Sequence, residues 1–216
     1  MNRNKKIRFW NGIRFKMTTG LLILVIFSGF LLYFLVMTMM SRNMESQVTA
    51  DLQNLQGNTE VYVRQFLMLN ERNNDEDSFR ESAADIAEEL YNTSKNKLLL
   101  FTNDGKPLLD YGFGNMKDMN TLYEDVKAGG AFLSALDGES AYQLKAGSAG
   151  EYDVWFSMPL NIAGKNMGIV SYYLDYSAQY QQFNDIARTV LEITIIILLM
   201  ISALILLFLS NIIRPS

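Results

Sequence analysis

The side chains of this chain with chemical potential fall in two places. Asp75, Glu76, Asp77, Glu81, Asp85, Glu88 and Glu89 crowd one polar stretch. Glu81, Asp85 and Glu88 recur at helical spacing on one face, which suits divalent cations or cationic peptides; a solvated surface is the plain alternative. The run Asn73-x-Asp75-x-Asp77 imitates the opening of a calcium loop. It places Ser78 where the sharp turn needs Gly and Ala84 where a bidentate Glu belongs, which rejects an EF-hand. The second place is Tyr152–Pro159, where Asp153, Trp155 and Ser157 alternate with Tyr152, Val154, Phe156 and Met158. A strand sends these two sets to opposite faces, so the first combines an aromatic wall with hydrogen-bonding groups suited to ligand capture. Burial of Trp155 as a core residue is the competing expectation.

Other chemistry is excluded by composition. The 216 residues include no Cys and no His. Disulfides, thiolate zinc sites, imidazole bases and both serine–histidine and cysteine–histidine catalysis are therefore impossible within the chain. No phosphate-binding glycine loop, dinucleotide fingerprint or nucleophile elbow occurs. No catalytic residue, metal site or cofactor is expected, and no nucleic-acid partner.

The elements that position these residues begin in the membrane. Met17–Met40 holds 18 apolar residues among 24 and no charge; Val190–Ile213 holds 19 among 24 and a single charge, Glu192. As a helix each extends about 36 Å, enough to cross a hydrocarbon core of about 30 Å, which excludes a soluble monomer. Residues 1–16 carry six basic and no acidic side chains, whereas residues 41–189 carry 12 basic and 22 acidic ones. The positive-inside rule then places residues 1–16 and Arg214 in the cytoplasm and residues 41–189 outside it. The first apolar stretch is too long for a secretory signal and lacks a small-x-small cleavage site, so it is expected to stay as an anchor.

Between the spans the pattern reads as helix, helix, strands, helix. Val48, Leu52, Leu55, Thr59, Tyr62, Phe66 and Leu69 recur at alternating steps of four and three, the period of one helix face held against a neighbour. That face serves the chain's own sheet or a homodimer seam through Val48, Leu52, Leu55, Tyr62 and Phe66, and the two can share the helix at different heights. Residues 70–77 read as a loop, and Ser78 with Glu81 as a capping box opening a second helix to about Tyr91. Lys97–Asn103 and Pro107–Tyr111 read as strands around an Asp104-Gly105 turn. A helical stretch at Lys117–Lys127 precedes Gly129-Gly130. Three more strands are expected at Ala141–Ala146, Tyr152–Pro159 and Met167–Asp175, with turns at Gly147–Gly150 and Asn161–Lys165. From Ser177 a helix runs into the second span.

This order, with Leu98-Leu99-Leu100-Phe101-Thr102-Asn103-Asp104-Gly105-Lys106 and with Met158-Pro159-Leu160, Gly164 and Gly168-Ile169-Val170, resembles the extracytoplasmic PAS-like sensor modules called Cache domains. The resemblance implies an α+β fold, a PAS-like antiparallel sheet with a long N-terminal helix, flanked here by two transmembrane helices. It also implies a ligand pocket on the sheet face away from that helix, roofed by the connection between the second and third strands. On that basis Asp153, Trp155 and Ser157 are the candidate lining, with Tyr142 and the roof residue Tyr123 as additions. The clustered Arg, His and Lys residues by which some relatives hold dicarboxylates are missing, which argues against a citrate-type ligand. Ile212-Ile213-Arg214-Pro215 resembles the opening of a HAMP linker.

The organisation expected is a cytoplasmic stub at 1–16, a span at 17–40, a sensor domain at 41–189, a span at 190–213 and the start of a linker at 214–216. The function it implies is the sensing region of a bacterial cell-membrane receptor for a small-molecule or peptide ligand. The expected output is a two-component sensor histidine kinase acting on a response regulator. A chemoreceptor, a cyclic-dinucleotide enzyme and a membrane-anchored accessory protein are the alternatives.

Overall fold

The computed structural model describes residues 13–73, 75–114, 118–146 and 151–212. The linker at 214–216, residues 1–12 of the basic stub, Lys117 and the turn Gly147–Gly150 lie outside the described residues. The chain forms two compact units, one of residues 46–181 and one of residues 1–45 with 182–216.

The membrane-type unit is built from two helices. α1, Ile13–Leu69, is 57 residues long and contributes its N-terminal part; α6, Ser177–Ile212, contributes its C-terminal part. Both are long and apolar enough to cross a membrane, and none of the residues in their most apolar windows is buried. Phe27, Phe30 and Phe34 on one helix and Leu199 and Phe208 on the other are each more than 60% exposed. Water would oppose such a surface strongly, whereas lipid accepts it. The hydroxyls of Thr38 and Thr194 donate to the carbonyls of Phe34 and Val190 four residues back, so these polar groups are satisfied within their helices. At Gly29 the place of a Cβ lies 2.7 Å from Leu198 Cδ2, so the glycine admits the second helix's leucine. Glu192, an isolated acid in the sequence, accepts from Arg188 Nε at 3.1 Å.

The other unit is α+β. Its sheet is antiparallel throughout and runs in the order β2-β1-β5-β4-β3, formed by β1 Lys97–Phe101, β2 Pro107–Tyr111, β3 Ala141–Ala146, β4 Tyr152–Ile162 and β5 Lys165–Asp175. α1, α2 (Glu76–Glu81) and α3 (Ala83–Ser94) bury their apolar stripes with one side of the sheet; α4 (Met119–Lys127) and α5 (Gly130–Leu136) pack with the other. Strand alternation divides the core accordingly. Leu98, Leu100, Val154, Phe156, Met158, Val170 and Tyr172 belong to the large cluster beside α1, and Leu99, Phe101 and Ile169 to the smaller one beneath α4 and α5.

The heptad face of α1 packs with its own sheet. Val48 is 5% and Leu52 2% exposed, and Leu55, Tyr62 and Phe66 are half-buried against the same cluster. Val48 and Leu52 are therefore not open to a second copy, which corrects their assignment to a dimer seam. Within this apolar contact one polar link is buried. The Thr59 hydroxyl donates to the Leu55 carbonyl at 2.8 Å, so the Tyr172 hydroxyl, 2.8 Å from Thr59 Oγ1, is the donor of their shared bond.

The second helix starts earlier than its sequence suggests. Asp75, not Ser78, is the N-cap: its carboxylate accepts from the Ser78 N–H at 2.9 Å, and that bond is the main reason its carboxyl lies below the usual range. The helix is then interrupted at Ser82, so Glu81 closes α2 while Asp85 and Glu88 belong to α3. β4 and β5 run on to Ile162 and back from Lys165, leaving a two-residue turn at Ala163 and Gly164, tighter than Asn161–Lys165. α5 is an element that the Gly129-Gly130 pair hides in the sequence, because the glycines read as a loop while Gly129 is in fact its N-cap.

Candidate functional site

The face of the sheet beneath α4 and α5 carries the site. Register sets Trp155 opposite Gln143 on β3 and opposite Tyr173 on β5, and Ser157 opposite Ala141 and Ser171. These residues share one face by strand alternation. The roof is fastened at both helices. Asp118 caps α4 by accepting from the Thr121 N–H at 3.1 Å, and the Gly130 N–H of α5 donates to Gln143 Oε1 at 3.1 Å, which ties the roof to β3.

Between roof and sheet lies a cavity of about 150 Å³ lined by Trp155, Ser157, Gln143, Lys145, Asp125 and Phe132 among others. Drug-sized pockets run to about 300–1,000 Å³, so this one admits only a compact solute. Its floor holds a buried serine pair. Ser157 and Ser171 are 1% and 0% exposed and share a single hydrogen bond of 2.7 Å, so one of the two hydroxyl protons has no acceptor in that bond. Asp125 and Lys145 add charges of opposite sign to the lining.

An aromatic cluster continues the wall. The Phe113 ring stacks on Trp155 with centroids 6.0 Å apart and planes 7° apart, and Tyr173 meets Trp155 edge-on at 5.3 Å. The Lys97 ammonium stands 5.6 Å from the Phe113 centroid and 5.1 Å from that of Tyr173, a cation–π arrangement. Burial, reinforced by the Asp153 carboxylate that accepts from its hydroxyl at 2.6 Å, pushes the Tyr173 phenol well above its ordinary range.

The residues expected from the sequence divide as follows. Trp155 and Ser157 line the cavity. Asp153 is on the same face but its carboxylate is engaged by Tyr173 and does not line it. Tyr123 sits in the roof with its ring edge-on to Phe101 at 5.8 Å and its hydroxyl donating to Asp110 at 3.1 Å. Burial first, and Asp110 second, push its phenol well up. Tyr142 pairs with Phe156 and so belongs to the opposite face; its place in the lining is taken by its neighbours Gln143 and Lys145. On the acidic face Glu81 is joined to Arg72, Asp85 and Glu88 are exposed on α3, and no group of three or more acids could hold a metal ion among the described residues. Sequence reasoning missed Asp125, Phe132, Gln143 and Lys145. A register count from Trp155 would have found Gln143, but that count passes through the turn at 147–150, whose length the strand patterns leave open.

No family model matches the sequence, and no curated protein matches it. Solved structures resemble it in part. The ligand-binding domain of the Campylobacter jejuni chemoreceptor Tlp3 is similar in its complex with L-norvaline (TM-score 0.44, 14% identity, 81% of this chain and 64% of that one). It is similar again in its complex with 4-methylisoleucine (0.43, 13%, 82% and 65%). The sensor domain of the V. cholerae histidine kinase DctB aligns at 0.38, with 16% identity over 65% of this chain and 58% of that one. The chain thus spans less than two thirds of the length of each. At TM-scores below 0.5 these likenesses carry no functional assignment.

Proposed function

We propose that the chain is the stimulus-sensing region of a bacterial transmembrane receptor, and that the cavity beneath α4 and α5 takes a compact zwitterion. The observation that carries this reading is the cavity itself, a small enclosure with an aromatic wall, a buried serine pair and one carboxylate and one ammonium in its lining. Lys145 suits an anionic end, Asp125 a cationic end, and the serine pair a carbonyl or carboxylate oxygen. The helices at either end of the domain, α1 and α6, are the two among the described residues long and apolar enough to cross a membrane, which supports a membrane receptor over a detached binding protein. In this reading residues 41–189 are extracytoplasmic, both termini are cytoplasmic, and the working unit is a homodimer. The output is a two-component histidine kinase acting on a response regulator, reached through a linker that opens at Arg214-Pro215.

Trp155 supplies the test. The chain has two tryptophans, Trp10 and Trp155, so Trp10→Phe leaves a single reporter in the cavity wall. Titrating that variant in lipid nanodiscs with neutral amino acids is expected to change Trp155 emission saturably, and Lys145→Gln and Ser157→Val are expected to weaken the response. A response to none of the amino acids overturns the zwitterion reading. Grafting the whole chain onto a kinase output then checks signalling: phosphotransfer unaltered by a solute that binds would exclude the receptor role.

A further inference from the structure

A second, larger cavity of about 360 Å³, an open groove whose Asp51 and Asp175 are exposed, lies beside α1, bounded also by the end of α3 and by the junction of β5 with α6, all within the 46–181 unit. Its size falls in the range of about 300–1,000 Å³ typical of ligand sites. Its polar lining is Asp51, Asn54, Asn58, Ser94, Asn96, Asp175 and Gln179, and no Lys or Arg lines it. Asp51, Asn54 and Asn58 recur at steps of three and four on α1 and present one face. Asp175 faces the same space from the sheet's end, and the Ser177 hydroxyl first, with the Ser177 N–H that donates to it at 2.8 Å, holds its carboxyl below the usual range. Asp51 acts on the same space, for its charge adds to burial in raising the Tyr176 phenol to about 12. The site thus sets carboxylates from two separate elements around a set of amides, with Leu55, Leu174 and Tyr176 as its apolar part.

We infer that this cavity is a second binding site, for a compact organic cation bearing several N–H donors. Each carboxylate accepts from the cation, and the amide oxygens take the remaining donors. A bare divalent ion fits worse, because the space is large and the described residues hold no group of three or more acids placed for one. A cation seated here touches both α1 and the opening turn of α6, and so joins the two helices that leave the domain. The inference stands apart from the zwitterion site, with which it shares no lining residue.

The test is calorimetric titration of the full chain in nanodiscs with agmatine, spermidine, magnesium and succinate. Saturable binding of an amine and no binding of succinate are expected. Asp51→Asn and Asp175→Asn should each weaken the amine about tenfold, the loss of one charge-assisted hydrogen bond. Asp175→Asn keeps an acceptor for Ser177, and Asn54→Leu, on an exposed position of α1, fills the space without touching either carboxylate; it should weaken the amine as well. Glu139→Gln, at an exposed position that lines neither cavity, should leave amine affinity unchanged. Absence of amine binding, affinity unmoved by these three variants, or magnesium competing at equal concentration would each overturn the proposal.

Discussion

Four residues of the 46–181 unit, Tyr172, Thr59, Gly168 and Asp104, act through contacts that a single experiment can isolate. The buried bond between Tyr172 and Thr59 is asymmetric, because the phenol donates and the threonine has a second partner in the Leu55 carbonyl. Tyr172→Phe removes the donor cleanly and should cost about 1 kcal/mol. Thr59→Val strands a buried hydroxyl and should cost more, about 1–3 kcal/mol. Denaturant unfolding of the two variants checks this, and an equal or reversed order would refute the assigned donor. At Gly168 a Cβ would stand 2.5 Å from the Phe101 carbonyl oxygen and 2.7 Å from the Phe79 ring. Gly168→Ala should therefore destabilise by about 1–3 kcal/mol, as overpacking of a core does. Asp104 offers a pH test. The Lys106 ammonium, 2.6 Å away, and the Thr102 hydroxyl lower its carboxyl to about 2. Its folded pKa lies below the unfolded value of about 3.9, so its stabilising contribution is complete above that value and is lost as pH falls toward 2. Carboxyl NMR should show a midpoint near 2, and one near 4 would mean that the turn does not hold the pair.

Among the elements, the strands and the long helices were legible because their signals are local. Alternation fixes the faces of Trp155 and Phe156, and Pro107–Tyr111 and Ala141–Ala146 have the bounds that their residue types suggest. The heptad face of α1 was legible as a buried stripe, but its partner was not. The same 3.5-residue period serves a sheet or a second helix, and only the fold assigns Val48 and Leu52 to the sheet. α5 was hidden because paired glycines weaken a helix locally, and here Ala131, Phe132 and Ala135 compensate by burial under the roof. Half of the site was legible for a related reason. Trp155 and Ser157 follow from one strand's alternation, whereas Gln143, Lys145 and Asp125 depend on which strand and helix come to lie beside it. Between the apolar helices, Gly29 and Leu198 give an element-scale prediction. Gly29→Leu should force Leu198 out of its place and reduce disulfide cross-linking between cysteines introduced beside positions 29 and 198. Unchanged cross-linking would show that the helices do not meet there.

At the scale of the whole molecule, the division of exposed apolar surface decides solubility. Residues of the apolar helix segments face outward, while the sheet unit buries its large hydrophobics on both sides. The chain should remain in the membrane pellet after an alkaline carbonate wash, and release into the supernatant would refute two spans. Because the chain has no cysteine, Glu139→Cys on the exposed surface gives a clean topology probe. It should react with a membrane-impermeant maleimide in intact cells, and protection from the reagent would invert the proposed orientation.

The sheet is only one residue thick between its two cores, and β5 brings that thinness to a point. Ser171, whose hydroxyl is bound to Ser157 at the floor of the small cavity, is followed directly by Tyr172, whose hydroxyl holds Thr59 of α1. Under the proposed function, a solute that pulled on the serine pair would tug a strand whose next side chain already grips the helix. From the serine pair to the helix contact the distance along the chain is a single peptide unit.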